Sequence, residues 1–165
     1  MTRIEHRASE VEGVPMRSTL EARWATFFSS VGLKWQYEPE TFELEQKRHY
    51  TPDFYVEDLG WIEIKPTLKH FSESWLRLKL FCRLKPDFTA FLFPGDFVGF
   101  RDVLRFHQGQ IYRPSTQQML KAIALIRHGK SKVKMEIIYA AINAAMQHAN
   151  VVKISHTVPL EAFSI

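Results

Sequence analysis

Two short runs of alternating apolar and polar residues, 53–56 and 61–65, lie in the first half of the chain. Both runs are rich in aromatic and β-branched residues, and the acidic segment 57–59 between them is followed by Gly60, so the pattern predicts a β-hairpin. Side chains alternate along a strand, and the apolar side chains of one face are Phe54, Val56, Ile62 and Ile64. Burial of this face fixes the register and requires an odd-numbered turn, for which residues 57–59 are one candidate.

The opposite face of the predicted hairpin holds the polar residues Asp53, Glu63 and Lys65. Two carboxylates that meet across a strand pair repel each other, and a hard divalent cation such as Mg²⁺ would bind them through their oxygen atoms. A lysine beside them would hold a water molecule or stabilise charge on a phosphate group. The alternative is an amphipathic hairpin whose charged face is simply solvated, because such alternation is common on half-exposed strands.

Hydrophobic periodicity and chain breakers predict the elements on either side of the hairpin. These elements are a helix beginning at Ser18, a strand at 34–38, a short strand or extended loop at 41–44, strands at 88–93 and 111–112, and helices at 72–84, 102–107, 116–128 and 132–147. Strand 61–65, helix 72–84 and strand 88–93 form a βαβ unit with parallel strands. The predicted fold is therefore α/β, with a central mixed sheet of four or five strands flanked by helices.

Composition divides the chain into three parts. Residues 1–16 are predicted to be a flexible or loosely docked lead-in, residues 17–112 a folded core, and residues 113–165 a basic helical C-terminal extension. Lysine and arginine number 13 against 15 aspartate and glutamate residues up to position 98, and 9 against 3 from position 99 onward. The positive charge of the second part favours an anionic partner.

Several classes of protein have no support in the sequence. The chain has no apolar run long enough for a membrane span, and its first residues lack the apolar region of a signal peptide. We therefore expect no membrane partner. The single cysteine, Cys82, excludes an internal disulfide, so we expect a cytoplasmic protein. A glycine-rich phosphate loop, zinc-ligand spacing and a serine-hydrolase elbow are also missing from the sequence, which argues against those chemistries.

The ordered motifs Pro52-Asp53 and Glu63-Ile64-Lys65 resemble the signature of the PD-(D/E)XK nuclease superfamily. Two preceding segments extend the resemblance to phage and bacterial endonucleases of that superfamily: Arg17-Ser18-x-x-Glu21-Ala22-Arg23-Trp24 and Trp35-x-Tyr37-Glu38-Pro39-Glu40. The ending Glu-x-Lys-Pro is similar to TnsA-type transposon endonucleases, and the spacing is similar to compact phage Holliday-junction resolvases. The resemblance covers about residues 17–94 and implies a restriction-endonuclease-like core for the α/β fold.

The resemblance also implies a role for the polar residues of the hairpin. Asp53 and Glu63 would bind Mg²⁺, with the Ile64 carbonyl as a further ligand, and Mn²⁺ is expected to substitute for it. Lys65 would orient the attacking water or help to deprotonate it. These roles describe metal-assisted hydrolysis of a phosphodiester bond.

Glu21 has two interpretations that the sequence leaves open. In the superfamily a glutamate on the first helix supports the metal cluster, which makes Glu21 a candidate catalytic residue. Ser18 and Glu21 also have the spacing of a capping box, in which the glutamate side chain bonds the Ser18 amide. Glu38 and Glu40 have two interpretations as well, because they would either approach the metal or lie in a solvated loop.

The implied function is a Mg²⁺-dependent DNA endonuclease, acting in phage or mobile-element DNA processing such as recombination. Alternatives are a branched-DNA resolvase, the cleavage subunit of a transposition complex, or a non-catalytic DNA-binding or protein-interaction module of the same fold. A homodimer or a larger DNA-processing complex is the expected assembly, because two cuts by one small domain usually need two active sites. Candidate DNA contacts, with ordinary surface charge as the alternative, are Arg17, Lys47, Arg48, Lys130, Lys132 and Lys134.

Overall fold

Ten short strands and three α-helices make up residues 9–66, 71–95 and 103–128, the part of the chain that the computed structural model describes. In chain order they are β1 (Ser9–Val11), β2 (Val14–Met16), α1 (Thr19–Ser30), β3 (Trp35–Tyr37), β4 (Phe42–Glu43), β5 (His49–Tyr50), β6 (Phe54–Val56), β7 (Gly60–Lys65), α2 (Phe71–Leu84), β8 (Thr89–Pro94), β9 (Leu104–His107), β10 (Gln110–Tyr112) and α3 (Thr116–His128). A 3₁₀ turn at Glu45–Lys47 joins β4 to β5. The predicted helix at 132–147 lies outside the described residues.

A six-stranded mixed sheet forms the centre of the described structure, in the order β10-β9-β8-β7-β6-β3. Strands β7 and β8 are parallel, as predicted for a βαβ unit through α2, and the other neighbouring pairs are antiparallel. Strands β4 and β5 form a separate antiparallel ribbon. The α/β class and the mixed sheet are therefore confirmed, whereas the predicted number of four or five strands is wrong.

The additional strand is β9, which replaces the short helix predicted at 102–107. Leu104 and Phe106 are buried while the residues that alternate with them are partly exposed, which is the period of two of a strand. The turn from β9 to β10 has positive φ at both Gln108 and Gly109, 49° and 72°, and such turns match the twist of a hairpin. The helix prediction failed because so short a segment contains too few residues to distinguish the two periods.

Helices cover both faces of the central sheet, and each face has its own cluster of buried side chains. On the α1 face, helices α1 and α3 cover the sheet residues Phe54, Val56, Ile62, Ile64, Phe91 and Phe93. On the α2 face, helix α2 and the β4–β5 ribbon cover Trp61, Ala90, Leu92, Leu104 and Phe106. None of the three helices in the described ranges has the length and hydrophobicity that a membrane span needs.

The ends of the described chain pack on the α1 face. Strands β1 and β2 form a hairpin whose Val11 and Met16 are buried there, so residues 9–16 differ from the loosely docked lead-in predicted for 1–16. Residues 1–8 lie outside the described residues. Helix α3 matches its predicted range, and its residues Met119, Leu120 and Ile123 are buried in the same cluster.

The predicted hairpin is present as β6 and β7, with Phe54 opposite Ile62 and a three-residue turn at 57–59. Its apolar set lies on the α1 face and Trp61 lies on the α2 face, so the predicted register is confirmed. Gly60 has a φ of +126°, and a Cβ atom at this position would lie 2.3 Å from the Thr89 carbonyl oxygen. A glycine is required here because the neighbouring strand β8 approaches the backbone so closely.

Candidate functional site

Asp53 lies immediately before β6 and is almost completely buried, with 4% of its surface exposed. Its carboxylate Oδ2 accepts a hydrogen bond from the Ile64 N–H at 2.6 Å, across the β6–β7 pair. Its backbone carbonyl accepts a hydrogen bond from the Glu38 N–H at 2.9 Å, just after β3. One hydrogen bond to the carboxylate and one to the backbone carbonyl therefore fix the position of Asp53.

Glu63 lies within β7 and is also buried, with 2% of its surface exposed. Its Oε2 accepts a hydrogen bond from the Tyr50 hydroxyl at 3.0 Å, and its Oε1 lies 2.6 Å from Nζ of Lys65. The Lys65 side chain is a quarter exposed, so its ammonium group lies between the buried carboxylate and solvent. Both oxygens of Glu63 thus have partners, as a buried charge requires.

Burial and, second, the negative charge of Glu63 raise the pKa of Asp53 from 3.8 to about 7. The positive charge of Lys65 and the hydrogen bond from the Ile64 N–H oppose this rise in pKa. Burial also raises the pKa of Tyr50 well above its ordinary value, so its hydroxyl stays protonated and donates to Glu63. Two buried carboxylates that repel each other have the charge and the donor atoms that favour binding of a divalent cation.

The residues present fit a small hard cation that needs few protein ligands. Mg²⁺ usually keeps several water molecules and binds through one or two carboxylates together with a substrate phosphate. Asp53 and Glu63 would supply those two carboxylates. Within residues 9–66, 71–95 and 103–128, no group of three or more His, Cys, Asp or Glu side chains has the arrangement of a metal site. The Ile64 carbonyl as a further ligand stays a prediction.

Glu21 lies in the first turn of α1, and its surroundings bear on both of its interpretations. Ser18 Oγ accepts a hydrogen bond from the Glu21 N–H at 3.2 Å, so Ser18 is the N-cap of the helix. The Glu21 carboxylate accepts a hydrogen bond from the Tyr37 hydroxyl at 2.5 Å. Its charge also helps to raise the pKa of Asp53, with a smaller effect than burial or Glu63. The Glu21 side chain is therefore directed towards Tyr37 and lies near Asp53 and Glu63, the acidic pair.

Arg17 links the start of α1 to Asp53. Its guanidinium group forms an ion pair with Glu38 and lies 3.9 Å from Asp53 Oδ1. Its backbone N–H donates to the Tyr37 hydroxyl at 3.1 Å, and that hydroxyl in turn donates to Glu21. The Arg17 side chain is 66% exposed, so a cationic group lies beside the acidic pair and remains accessible. Its contact with a DNA phosphate stays a prediction.

The other candidate residues of the sequence analysis lie in turns and loops or outside the described ranges. Lys47 and Arg48 are exposed at the 3₁₀ turn that precedes β5. Glu40 is exposed in the loop between β3 and β4, whereas Glu38 is partly buried beside Arg17. Three predicted DNA contacts lie outside the described residues: Lys130, Lys132 and Lys134.

Two tyrosines, Tyr37 and Tyr50, were not predicted as parts of the site. Each directs its hydroxyl group at an acidic residue, Tyr37 at Glu21 and Tyr50 at Glu63. Tyr50 reaches Glu63 because the β4–β5 ribbon covers the α2 face of the sheet. The short strand or extended loop predicted at 41–44 contains β4, whereas β5 was not predicted. The closeness of Tyr50 to Asp53 in the sequence is the signal that would have found Tyr50.

Comparison of the chain with models of protein families, with curated proteins and with solved structures found no match. The function must therefore be inferred from the sequence motifs and from the geometry of the site.

Proposed function

We propose that this protein is a Mg²⁺-dependent endonuclease that hydrolyses phosphodiester bonds in DNA. The observation that supports this function most strongly is the juxtaposition of two buried carboxylates, Asp53 and Glu63, with the partly exposed ammonium group of Lys65. These residues occur in the order Pro-Asp and Glu-x-Lys, as in the superfamily that the chain resembles. The antiparallel β6–β7 pair followed through α2 by parallel β8 is compatible with a restriction-endonuclease-like core.

The two carboxylates would hold the cation. When bound, Mg²⁺ polarises the scissile phosphate and stabilises the leaving oxygen. Asp53 would lose its proton on binding, because the cation favours the charged form that burial and Glu63 disfavour in its absence. Mn²⁺ would substitute because it also prefers carboxylate and water oxygens.

Lys65 would act on the attacking water. Its Nζ lies 2.6 Å from Glu63 Oε1, at the boundary between the buried carboxylate and solvent. A water molecule and a phosphate that enter from solvent would therefore meet this group first. Lys65 orients the water by hydrogen bonding, and its positive charge stabilises the negative charge that develops on the phosphate.

Glu21 would support the acidic pair through its charge. The Tyr37 hydroxyl holds the Glu21 carboxylate in one orientation, and the Arg17 N–H holds the hydroxyl. Supporting groups of this kind typically change metal affinity or activity by about 10- to 100-fold when they are removed. Arg17 itself would neutralise part of the negative charge that a bound phosphate adds beside Asp53.

Cleavage assays on supercoiled, linear and four-way-junction DNA, each with Mg²⁺, Mn²⁺ or EDTA, test the proposed function. We expect Asp53→Ala and Glu63→Ala to abolish cleavage because each removes a metal-binding carboxylate, while both variants remain folded by circular dichroism. Glu57→Ala is the matched control, because it removes an exposed carboxylate from the turn of the same hairpin and should leave cleavage intact.

Parental cleavage rates in either site variant, at verified protein concentration, would refute the assignment of the site. A strong preference for the four-way junction would identify a branched-DNA resolvase. Cleavage of linear and supercoiled DNA alike would identify a general endonuclease. Cleavage by the parent in EDTA would refute the dependence on a metal ion.

A further inference from the structure

A groove with a volume of about 620 Å³ lies between the β4–β5 ribbon and helix α2. Its polar lining residues are Arg48 and His49 from the ribbon side, and Glu73 and Arg77 from α2. Leucines form the apolar part of its lining, including Leu76, whose surface is 59% exposed. The groove thus combines two guanidinium groups with an accessible apolar surface.

Tyr50 joins this groove to the acidic pair. The guanidinium carbon of Arg77 lies 5.8 Å from the centre of the Tyr50 ring, and the Tyr50 hydroxyl donates to Glu63. His49, which precedes Tyr50 in β5, also lines the groove. The buried side chain of Tyr50 therefore contacts both Arg77 of the groove and Glu63 of the acidic pair.

The two arginines of the groove are available to an anionic ligand. Among the described residues, neither Arg48 nor Arg77 has a carboxylate within ion-pair distance, although Glu73 lines the same groove. Arg48 Nε donates one long hydrogen bond, of 3.5 Å, to the Glu45 backbone carbonyl. Nearby Arg83, in contrast, is paired with Glu45 at 2.5 Å. A guanidinium group binds phosphate oxygens through two parallel hydrogen bonds, so a phosphodiester backbone is the chemistry that these side chains complement.

We propose that this groove binds the DNA strand beside the scissile bond, with Arg48 and Arg77 on backbone phosphates and Leu76 against the sugar. This inference extends the proposed function, because it names the surface that holds the same substrate next to the cleavage site. Tyr50 then has two contacts, one with the phosphate-binding arginine and one with the metal-binding glutamate. Phosphate contacts of this kind hold the strand in register and do not read its sequence.

Equilibrium binding of a fluorescent DNA duplex, measured by anisotropy in EDTA over a range of salt concentrations, tests the groove without cleavage. The variants are Arg48→Gln, Arg77→Gln and the double variant. Lys79→Gln is the matched control, because it removes one positive charge from the same helix while its ammonium group lies over Trp75, 5.2 Å from the ring centre. Arg48→Gln leaves the ring contact of Tyr50 untouched, so its result does not depend on any effect of Arg77 on the acidic pair.

We expect each groove variant to reduce the slope of log K against log salt by about 0.9, the loss of one phosphate contact on duplex DNA. Affinity near physiological salt should fall by about three- to tenfold for each variant and further for the double variant, with Lys79→Gln close to the parent. The groove assignment would be overturned if the double variant had the same DNA affinity and the same salt slope as the parent. It would also be overturned if the parent did not bind DNA.

The two proposals can fail separately. If the parent cleaves DNA but the groove variants bind like the parent, the nuclease function stands and the groove is refuted. If no DNA is cleaved with any metal but the slope falls as expected, the groove is supported and the nuclease function is refuted.

Discussion

Asp53 provides a quantitative test of the site, because its ionisation is coupled to folding. Its pKa is 3.8 as an ordinary aspartate and about 7 in the folded protein, where burial and then Glu63 raise it. A raised pKa means that the folded state favours the protonated form. The stability that this group contributes is therefore fully present below pH 3.8 and is lost as the pH rises through about 7.

The size of the effect follows from the two pKa values. Each pH unit between them costs about 1.4 kcal/mol of unfolding free energy, so the complete loss amounts to about 4 kcal/mol. About half of this loss, roughly 2 kcal/mol, falls between pH 5.5 and pH 8. Domains of this kind are stable by only about 5–15 kcal/mol in total, so the change is large enough to measure.

Urea unfolding in EDTA between about pH 5.5 and pH 8 measures this change, and Asp53→Asn is the variant to compare. Asparagine keeps an oxygen that accepts from the Ile64 N–H but does not ionise. We expect the parent to lose about 2 kcal/mol relative to the variant over this range, because every other titrating group is common to both. Asp58→Asn changes an exposed position of the hairpin turn and is the control, and the dependence of its unfolding free energy on pH should be parallel to that of the parent.

Addition of Mg²⁺ at the upper end of this pH range completes the test. Binding to the ionised site should restore stability in the parent and leave Asp53→Asn nearly unchanged, because a ligand stabilises only the state that binds it. Parallel pH profiles for the parent and Asp53→Asn would refute the reasoning, since they would show that Asp53 does not have the raised pKa. Equal stabilisation of both proteins by Mg²⁺ would place the cation elsewhere.

Two further predictions concern the hairpin glycine and the first helix. Gly60→Ala should cost at least about 3 kcal/mol in urea unfolding, through positive φ and the close approach to Thr89. Gly13→Ala, also at positive φ but with nothing within 4 Å, should cost about 1 kcal/mol, and equal costs would refute the steric explanation. Glu21→Gln should reduce cleavage on the order of a hundredfold for at most about 1 kcal/mol of stability. Ser18→Ala, the control, should cost about 1 kcal/mol of stability through loss of the N-cap and should cleave DNA at the parent's rate. If Glu21→Gln cleaves DNA like the parent across a Mg²⁺ titration, Glu21 has only the capping role.

The β6–β7 hairpin could be predicted in detail because several independent signals agree there. Alternation placed Phe54 and Ile62 on one face, and the position of Gly60 set the length of the turn. In the structure Phe54 on β6 lies directly opposite Ile62 on β7, and the backbone of Gly60 lies close to the Thr89 carbonyl oxygen. Agreement between burial, turn length and backbone conformation leaves a single register available.

Strand β9 and the β1–β2 and β4–β5 pairs were not predicted, because packing and pairing in the folded chain determine them more than their own sequences do. Strand β9 is extended because its backbone pairs with β8 and β10, although its own sequence also suits a helical turn. The β1–β2 hairpin depends on packing of Val11 and Met16 against the α1 face. Tyr50 belongs to the site because the β4–β5 ribbon packs on the sheet, which brings its hydroxyl group to Glu63 on β7.

The energetics of the acidic pair favour a ligand over a purely structural role. Asp53 and Glu63 are buried side by side, and the partners within the structure are an amide N–H, a tyrosine hydroxyl and one ammonium group. These donors fix the orientation of each carboxylate, yet Lys65 supplies a single positive charge for two negative ones, and the exposed Arg17 lies 3.9 Å from Asp53. The remaining repulsion is what raises the pKa of Asp53 beyond the effect of burial. Removing both carboxylates would relieve this repulsion, since apolar replacements of buried charged groups are often neutral or stabilising. A divalent cation would relieve it while keeping both groups ionised, and that is the condition under which their positions beside Lys65 have a chemical use.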